Sequence, residues 1–276
     1  MTNQSPKKEI KELAVLADLH LDRAADDAKK RLWAKLASIQ YDAALIIGDI
    51  SVAAQLQQHL GLISKACWPR PVYFLLGNHD YFDGSFAGVD RLVAETCQHL
   101  RNLIPLGGGE IISLTPDTAL VAHRGWYDGQ AGAGARTWVD TPDRHRINDF
   151  KGLSRPEFFA KIKDLGRESA RYFRRVLPLA LSQYHTVLLA SHVPPFWQGI
   201  RHGGASCDWH HQPYFSNMAA GNVIASIARY FPNRRIVVHA AHTHCPVHVR
   251  LSANLEIHVA GSQPGFPALQ GVVQIE

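Results

Sequence analysis

The sequence predicts an α/β fold whose N-terminal part is a parallel sheet, and three observations lead to this prediction. Apolar, strand-like runs alternate with amphipathic helical segments over residues 13–100. The order strand, helix, strand, helix, strand favours parallel pairing with crossover connections. The length of 276 residues fits one large α/β domain with a single closed core. We therefore expect one domain over residues 1–276, with residues 1–10 as a flexible lead-in.

The N-terminal part is predicted to hold three buried strands and three helices. The strands are the apolar runs at residues 13–17, 43–47 and 72–76. The helices lie between and after these runs, at residues 24–39, 52–66 and 85–100. In the first helix, Leu32 and Leu36 belong to an inward-facing apolar stripe, with lysines on the other side.

After residue 100 the pattern changes to shorter strands and longer connections. Further strands are predicted at residues 111–114, 118–123, 186–190 and 236–238. A long helix is predicted to begin at the capping box formed by Ser154 and Glu157, and Pro178 is expected to end or kink it. A second helix is predicted at residues 217–231.

The C-terminal part is predicted to close with an antiparallel pair of strands at residues 247–251 and 255–259. Apolar and polar residues alternate in both, which gives one buried and one polar face. We interpret His248 and His258, on the polar face, as surface histidines and not as metal ligands.

Polar residues follow five of the strand-like runs, at the carboxyl ends where open α/β sheets place their chemistry. They are Asp18, His20, Asp49, Asn78, His79, His192, His242 and His244. Taken alone, the tetrapeptide at residues 77–80 is more typical of a turn. The recurrence of Asp, His and Asn at five strand ends indicates a metal site, because carboxylate oxygens and imidazole nitrogens suit zinc, manganese and iron.

In their order along the chain, these motifs resemble the calcineurin-like metallophosphoesterase superfamily. The motifs are Asp18-x-His20, Gly48-Asp49, Gly77-Asn78-His79-Asp80, His192 and His242-x-His244. The resemblance spans residues 18–244 and implies a four-layer αββα sandwich with mixed β-sheets. Two positions depart from the family pattern. Ala241 stands where Gly is usual, and Val52 stands where many members carry an Asp that supports the catalytic His.

The resemblance also implies the roles of the residues at a dinuclear metal site. By this carry-over, Asp18, His20 and His244 hold the first metal, Asn78, His192 and His242 hold the second, and Asp49 bridges them. The two divalent ions (Mn, Zn or Fe) would generate a bridging hydroxide nucleophile. The catalytic residue would be His79, as the general acid for the leaving group or as a donor to the phosphoryl oxygens.

The composition of the chain indicates its cellular compartment and the classes of partner that it could bind. Residues 1–12 have no apolar h-region, and no apolar run approaches a membrane span. Four cysteines without Cys-x-x-Cys spacing are expected to be reduced thiols, so we expect a cytoplasmic protein with no membrane partner. The net charge of +5 leaves nucleic acid open as a partner. We find no signal for the oligomeric state.

The expected function is hydrolysis of a phosphomonoester or phosphodiester of a small molecule. A nuclease acting on DNA or RNA is the alternative, and a non-catalytic metal-binding scaffold is a minor one. Protein phosphatases of this superfamily carry an Asp-Arg-Gly sequence after the bridging Asp. A protein phosphatase is therefore disfavoured, because residues 50–55 contain no Arg. Two long loops, residues 124–150 and 193–215, are expected to form the rim of the site. In them Arg124, Arg201 and His202 are candidate substrate-binding residues, with ordinary loop surface as the alternative.

Overall fold

The structure is a computed structural model that describes residues 9–202 and 205–276. The side chains of residues 202, 205 and 206 lie outside the described part, as do residues 1–8 of the expected lead-in. In chain order the strands are β1 (Glu12–Leu16), β2 (Ala43–Ile47), β3 (Val72–Leu75), β4 (Leu103–Pro105), β5 (Ile111–Ser113), β6 (Thr118–His123), β7 (Thr186–Ser191), β8 (Arg201–His202), β9 (Ala205–Ser206), β10 (Arg235–Ala240), β11 (Val247–Ser252), β12 (Leu255–Val259) and β13 (Leu269–Gln274).

Six α-helices connect the strands of the described chain. They are α1 (Asp26–Ala37), α2 (Ala53–Cys67), α3 (Phe86–His99), α4 (Pro142–Arg146), α5 (Arg155–Gln183) and α6 (Met218–Tyr230). None of the described helices is both long enough and apolar enough to cross a membrane.

The strands form two mixed sheets and a short ribbon. The first sheet has the order β13-β1-β2-β3-β4, in which β13 alone runs antiparallel to its neighbour. The second has the order β11-β12-β10-β7-β6-β5, with a parallel centre and an antiparallel strand at each edge. Strands β8 and β9 pair only with each other. Parallel pairing in both sheets brings the carboxyl ends of several strands to a common edge, which is where the site lies.

Alternating strand residues divide the core into three apolar clusters. Val15 and Leu188 belong to the cluster between the two sheets. Leu16 and Leu56 belong to the cluster that joins the first sheet to helices α1–α3. Phe173 of α5 belongs to the cluster that covers the outer face of the second sheet. The layers are therefore helices, sheet, sheet and helices, which confirms the αββα sandwich.

The predicted helices and strands are present in the structure, and the differences are five elements that were not predicted and the end of the long helix. Helix α4 and the two-residue strands β8 and β9 lie in stretches that were expected to be loops. Strands β4 and β13 were not predicted, because each is short or partly polar and is stabilised by a neighbouring strand. Pro178 does not end the long helix: α5 continues to Gln183. Its last turns persist because Leu177 and Leu181 are fully buried against the second sheet. That packing outweighs the one backbone hydrogen bond that a proline removes.

Candidate metal centre

Seven polar side chains meet where the strands of the two sheets end. Three strands of the first sheet, β1, β2 and β3, lead into Asp18 and His20, Asp49, and Asn78. Strands β7 and β10 of the second sheet lead into His192 and into His242 and His244. We call these seven residues, Asp18, His20, Asp49, Asn78, His192, His242 and His244, the metal centre. All but His242 and His244 are buried, and these two are half-buried or nearly so.

The backbone at the metal centre is left-handed at five of its non-glycine residues. The φ angles are 47° at Asp18, 41° at His20, 52° at Asp49, 70° at His242 and 58° at His244. Among the described non-glycine residues only Asp83 shares this conformation. Each such residue costs on the order of 1–3 kcal/mol and persists only where the surroundings hold it, so strain of this kind concentrates at functional sites.

One glycine allows the centre to close. A Cβ atom on Gly77 would lie 2.2 Å from Oδ1 of Asp49 and 2.6 Å from the ring of His192. Any larger residue at position 77 would therefore displace two residues of the metal centre. This steric requirement explains the glycine in the Gly-Asn-His-Asp motif.

The first group of the centre is Asp18, His20, Asp49 and His244, whose ligand atoms lie within 4.8 Å of one another. Nε2 of His20 is 3.0 Å from Nε2 of His244 and 3.7 Å from Oδ2 of Asp49. Nε2 of His244 is 4.0 Å from Oδ1 of Asp18. These atoms surround a common point in the manner of ligands to one ion.

The second group is Asp49, Asn78, His192 and His242. Oδ1 of Asn78 is 3.1 Å from Nε2 of His192 and 3.0 Å from Nδ1 of His242. Nε2 of His192 is 3.4 Å from Oδ1 of Asp49. Asp49 thus contributes one carboxylate oxygen to each group, which is the arrangement that a bridging ligand requires.

Hydrogen bonds from outside the centre fix the tautomers of two histidines. Nδ1 of His192 donates to the carbonyl of Ile47 at 2.8 Å, and Nε2 of His242 donates to the carbonyl of Tyr214 at 2.8 Å. Because a carbonyl only accepts, the opposite ring nitrogens carry lone pairs. Those nitrogens are the ones that face Asn78, and partners of this kind are typical of metal-binding histidines.

A similar contact orients Asn78. Its amide Nδ2 donates to Oδ1 of Asp143 at 2.8 Å, and Asp143 also accepts the hydroxyl of Tyr127. The amide oxygen therefore points towards His192 and His242. Three atoms that can only accept meet there within 3.1 Å, with no proton between them. A cation resolves this contact, and the donor set therefore fits a divalent metal.

The charges of the centre lead to the same conclusion. Burial raises the pKa of Asp18 to about 8, and burial together with the neighbouring Asp18 raises the pKa of Asp49. Burial lowers the pKa of His20 to about 3 and that of His242 to about 4. Within the described chain, neither Asp18 nor Asp49 pairs with a Lys or Arg. Buried carboxylates without a counter-ion are costly, and bound cations remove that cost.

His79 lies beside the centre without joining either group. Nε2 of His79 is 4.0 Å from Oδ2 of Asp49, and the side chain is 18% exposed. Its backbone N–H donates to Oδ1 of Asp49 at 2.9 Å. Its ring packs against Phe82, with centroids 4.2 Å apart, and against His20 at 4.7 Å. Nδ1 of His79 is buried and has no hydrogen-bond partner among the described residues. Val52, at the N-cap of α2, is partly buried against the core and has no polar side-chain group to bind His79. The described contacts that hold the ring are its packing against Phe82 and His20.

A cleft of about 590 Å³ opens onto the centre. Its walls include the metal-centre residues Asp49, Asn78, His242 and His244, together with His79 and part of the 124–150 loop. Apolar and aromatic groups line it at Phe82, Val139, Pro142, Tyr214 and Phe215. No Lys or Arg is among the described residues that line it.

The candidate substrate-binding residues are placed away from this cleft where their side chains are described. Arg124 donates to the hydroxyl of Tyr81 at 2.6 Å and pairs with Asp90 and Glu168, in a separate cavity. Arg201 donates to the carbonyl of Ile200 at 2.9 Å. The side chain of His202 lies outside the described part. The geometry gives no support to a substrate contact by Arg124, because its charge is already satisfied elsewhere.

The sequence analysis missed two acidic residues that support the centre. Asp80 accepts hydrogen bonds from the backbone N–H groups of Gly77, Ile50 and Ser51 at 2.8–2.9 Å, which ties the two strand-end loops together. The sequence could have indicated this role, because Asp80 is the last residue of the Gly-Asn-His-Asp motif. Asp143, which orients Asn78, follows a Thr-Pro pair at the start of α4, and nothing in that local pattern points to a metal site.

Comparisons with known proteins agree with this geometry. No curated protein matches the sequence. The structure is similar to the crystal structure of a dimetal phosphatase from Danio rerio, with 13% identity, a TM-score of 0.60 and coverage of 97% of this chain and 93% of that one. It is also similar to the crystal structure of a protein from Thermus thermophilus, with 11% identity, a TM-score of 0.51 and coverage of 92% and 90%. At these identities the likeness establishes the fold. The family model for the calcineurin-like phosphoesterases matches residues 12–246. The chain therefore belongs to the calcineurin-like phosphoesterase family of metal-dependent hydrolases.

Proposed function

We propose that the chain hydrolyses a phosphate ester of a small molecule, a monoester or a diester, with two divalent ions of manganese, zinc or iron held by the metal centre. The observation that carries the proposal is the position of Asp49. Its two carboxylate oxygens face separate ligand groups, and His79 stands beside it at the base of an open cleft. Two groups joined by one carboxylate suit a two-metal phosphoesterase site.

When bound, the ions supply an activated water and neutralise the phosphoryl oxygens. The protein's own contribution is to hold the ligands ready. The carbonyls of Ile47 and Tyr214 keep His192 and His242 in the tautomers that face the centre, and Asp143 keeps the amide oxygen of Asn78 turned inward. A site held in this way needs little rearrangement during the reaction.

His79 is proposed as the group that acts on the substrate. Burial, followed by the charges of neighbouring histidines and Arg23, lowers its pKa, so the ring is neutral near pH 7. A neutral imidazole donates one hydrogen bond. From the neutral ring that bond goes to a phosphoryl oxygen, without proton transfer. Transfer of a proton to the leaving oxygen as its bond to phosphorus breaks requires the imidazolium form of His79, because a neutral ring that lost its proton would become an imidazolate.

The cleft supports a small substrate in preference to nucleic acid. Binding of a nucleic acid backbone depends on several Lys or Arg contacts to successive phosphates. The described lining of the cleft has none, and it carries Asp140 and Asp143. Four basic residues on α5, Lys163, Arg167, Arg171 and Arg174, line a different groove. The apolar walls at Phe82, Val139 and Phe215 suit a leaving group that carries an apolar or ring moiety.

A substrate screen tests the proposal. Manganese-loaded protein is assayed on p-nitrophenyl phosphate, bis-p-nitrophenyl phosphate, cyclic nucleotides and single-stranded DNA, with Asp49→Asn as the inactive control. We expect turnover of at least one small ester, loss of turnover in the control, and no cleavage of DNA at comparable rates. Faster cleavage of DNA than of every small ester would establish the nuclease instead. Two bound metals with no turnover of any substrate would support the scaffold.

A further inference from the structure

A second set of metal-ligating side chains lies on the second sheet, outside the metal centre. One ring nitrogen each of His248 and His258 and a carboxylate oxygen of Glu256 all lie within 4.8 Å of one another. We call His248, Glu256 and His258 the sheet cluster. None of the three lines the cleft of the metal centre. We propose that the sheet cluster binds a divalent transition-metal ion, zinc, copper or nickel, and that this ion holds the edge strand β11 against β12. The proposal is independent of the proposed function.

The pairing of the strands brings these side chains together. His248 of β11 is directly opposite His258 of β12 in the antiparallel pair. Glu256 lies two residues before His258 on the same strand, and therefore on the same face of the sheet. Residues opposite one another in adjacent strands have side chains close enough to share a ligand. The pairing of β11 with β12 thus brings the ligating side chains together, as a short sequence motif does at other metal sites.

The distances suit a single ion after small side-chain adjustments. Nε2 of His248 is 3.2 Å from Oε2 of Glu256, and Nε2 of His258 is 4.0 Å from Oε1. Zinc binds imidazole nitrogen and carboxylate oxygen at about 2.0–2.2 Å, which separates two ligands of one ion by roughly 3–4 Å. The rings of His248 and His258 are stacked, with centroids 4.1 Å apart and an interplanar angle of 14°.

Glu256 is prepared for this role by Arg235. The guanidinium of Arg235 donates to Oε1 of Glu256, and the Glu256 side chain is only 9% exposed. Nε2 of His248 lies within hydrogen-bond distance of the other carboxylate oxygen, Oε2, at 3.2 Å. The carboxylate is therefore held in place from both sides. Metal-binding carboxylates are usually held by an outer hydrogen bond of this kind.

His239 provides an independent observation. It lies opposite His258 across the parallel pair β10–β12, and their rings stack with centroids 5.3 Å apart. Its Nε2 is buried and has no hydrogen-bond partner among the described residues. His239, His248 and His258 line the same two cavities, of about 360 and 420 Å³. With no partner in the described chain, this nitrogen of His239 can accept a hydrogen bond from a water on the ion.

The types of ligand in the cluster limit which metals can bind. A simple ion pair between Arg235 and Glu256 satisfies both charges and does not require three stacked histidines around the carboxylate. Two imidazoles and one carboxylate suit zinc, copper or nickel, whereas magnesium and calcium need oxygen ligands. Three protein ligands would leave a coordination position for water. His239, whose ring stacks on His258, offers in the same cavities a nitrogen that is hydrogen-bonded to no described residue.

Metal stoichiometry tests the proposal. Protein saturated with Zn²⁺ is freed of loosely bound ions by gel filtration and its zinc content is measured by mass spectrometry. We expect the double variant His248→Ala/His258→Ala to hold one zinc fewer than the unaltered chain and to retain its phosphoesterase activity. The matched control is His99→Ala/His185→Ala, which removes two exposed histidines elsewhere and should lose no zinc. Equal zinc content in the unaltered chain and the double variant overturns the proposal.

Two further measurements keep the outcome decisive. The same comparison in an Asp49→Asn background separates the sheet cluster from the metal centre: the difference of one zinc should persist even if the centre is empty. If the double variant does not fold, His248→Ala replaces it, because that side chain is 59% exposed on an edge strand. Bound Co²⁺ should give visible absorption that Glu256→Gln weakens, and unchanged absorption in that variant would exclude the carboxylate as a ligand.

Discussion

The metal centre and the sheet cluster gather similar side chains by different backbone means. At the metal centre the ligands follow strand ends, and five of them stand on left-handed residues. In the sheet cluster the ligands stand on β11 and β12 in regular pairing. Asp49 is buried without a Lys or Arg partner in the described chain, whereas Glu256 is paired with Arg235.

This difference indicates how much each site depends on its ion. The strain and the uncompensated charge at the metal centre lower the stability of the metal-free chain. The sheet cluster has neither backbone strain nor an uncompensated charge, because Glu256 is paired with Arg235. Binding of an ion there should therefore change the stability of the chain only slightly. Loss of the ions should therefore affect stability and activity strongly at the metal centre and weakly at the sheet cluster.

The largest effect is expected from Asp49→Asn. The substitution removes the carboxylate that both ligand groups share, so both ions should bind less tightly. We expect the loss of kcat/KM to exceed the roughly 10²–10⁴-fold attributed to general acid–base catalysis. His20→Ala, which alters only the first group, is the comparison, and metal content is measured alongside activity. Milder damage in Asp49→Asn than in His20→Ala would argue against a bridging role.

The next effect concerns His79, which faces the cleft but belongs to neither group. His79→Ala should keep both metals and the fold and lose about 10²–10⁴-fold in kcat. If His79 transfers a proton, kcat should fall more for a substrate with an alkoxide leaving group than for a nitrophenyl ester, because nitrophenolate leaves without a proton.

The control for this variant is His211→Ala, a second histidine of the cleft. It should change kcat much less. An equal loss on both substrates in His79→Ala would assign the ring to the phosphoryl oxygens, and loss of metal would make it a ligand.

A smaller effect is expected where a residue acts through a ligand. Asp143→Ala removes the acceptor that orients the amide of Asn78. Such outer partners are typically worth 10–100-fold in metal affinity or activity. The matched control is Asp140→Ala, a carboxylate of the same loop that lines the cleft but pairs with His145. Similar losses in both variants would show that loop charge, and not the hydrogen bond to Asn78, is responsible.

The two sites also differ in how far the sequence predicts them. The residues of the metal centre were identified because Asp, His and Asn recur directly after apolar runs, and parallel strands deliver such residues to one edge. The bounds of strands β1–β3 and of helices α1 and α2 were predicted within two residues, because buried strands are apolar runs and these helices have an apolar stripe. Asp143 was missed because its contact with Asn78 spans 65 positions and follows no strand. His248 and His258 were predicted to be surface histidines, and their side chains are 59% and 39% exposed. Their closeness to Glu256 was not predicted, because alternation gives the face of a strand but not the partner opposite.

The smallest effect is the pH dependence of the metal-free chain, and it has opposite signs at the two sites. Burial raises the pKa of Asp18 to about 8, so its favourable protonated form is lost as the pH rises towards 8. The buried histidines have lowered pKa values, and their contribution changes only below about pH 6.5. Between about pH 6.5 and 8 the thermal midpoint of metal-free protein should therefore fall by a few degrees. Glu256, whose pKa is lowered, contributes stability that is lost only in acid. Asp49 and Asp80 also have raised pKa values and add to this slope. Calorimetry should show the slope in the metal-free chain and in Glu256→Gln, a reduced slope in Asp18→Asn, and a much weaker slope in metal-loaded protein. A slope that Asp18→Asn leaves unchanged would mean that another group is responsible.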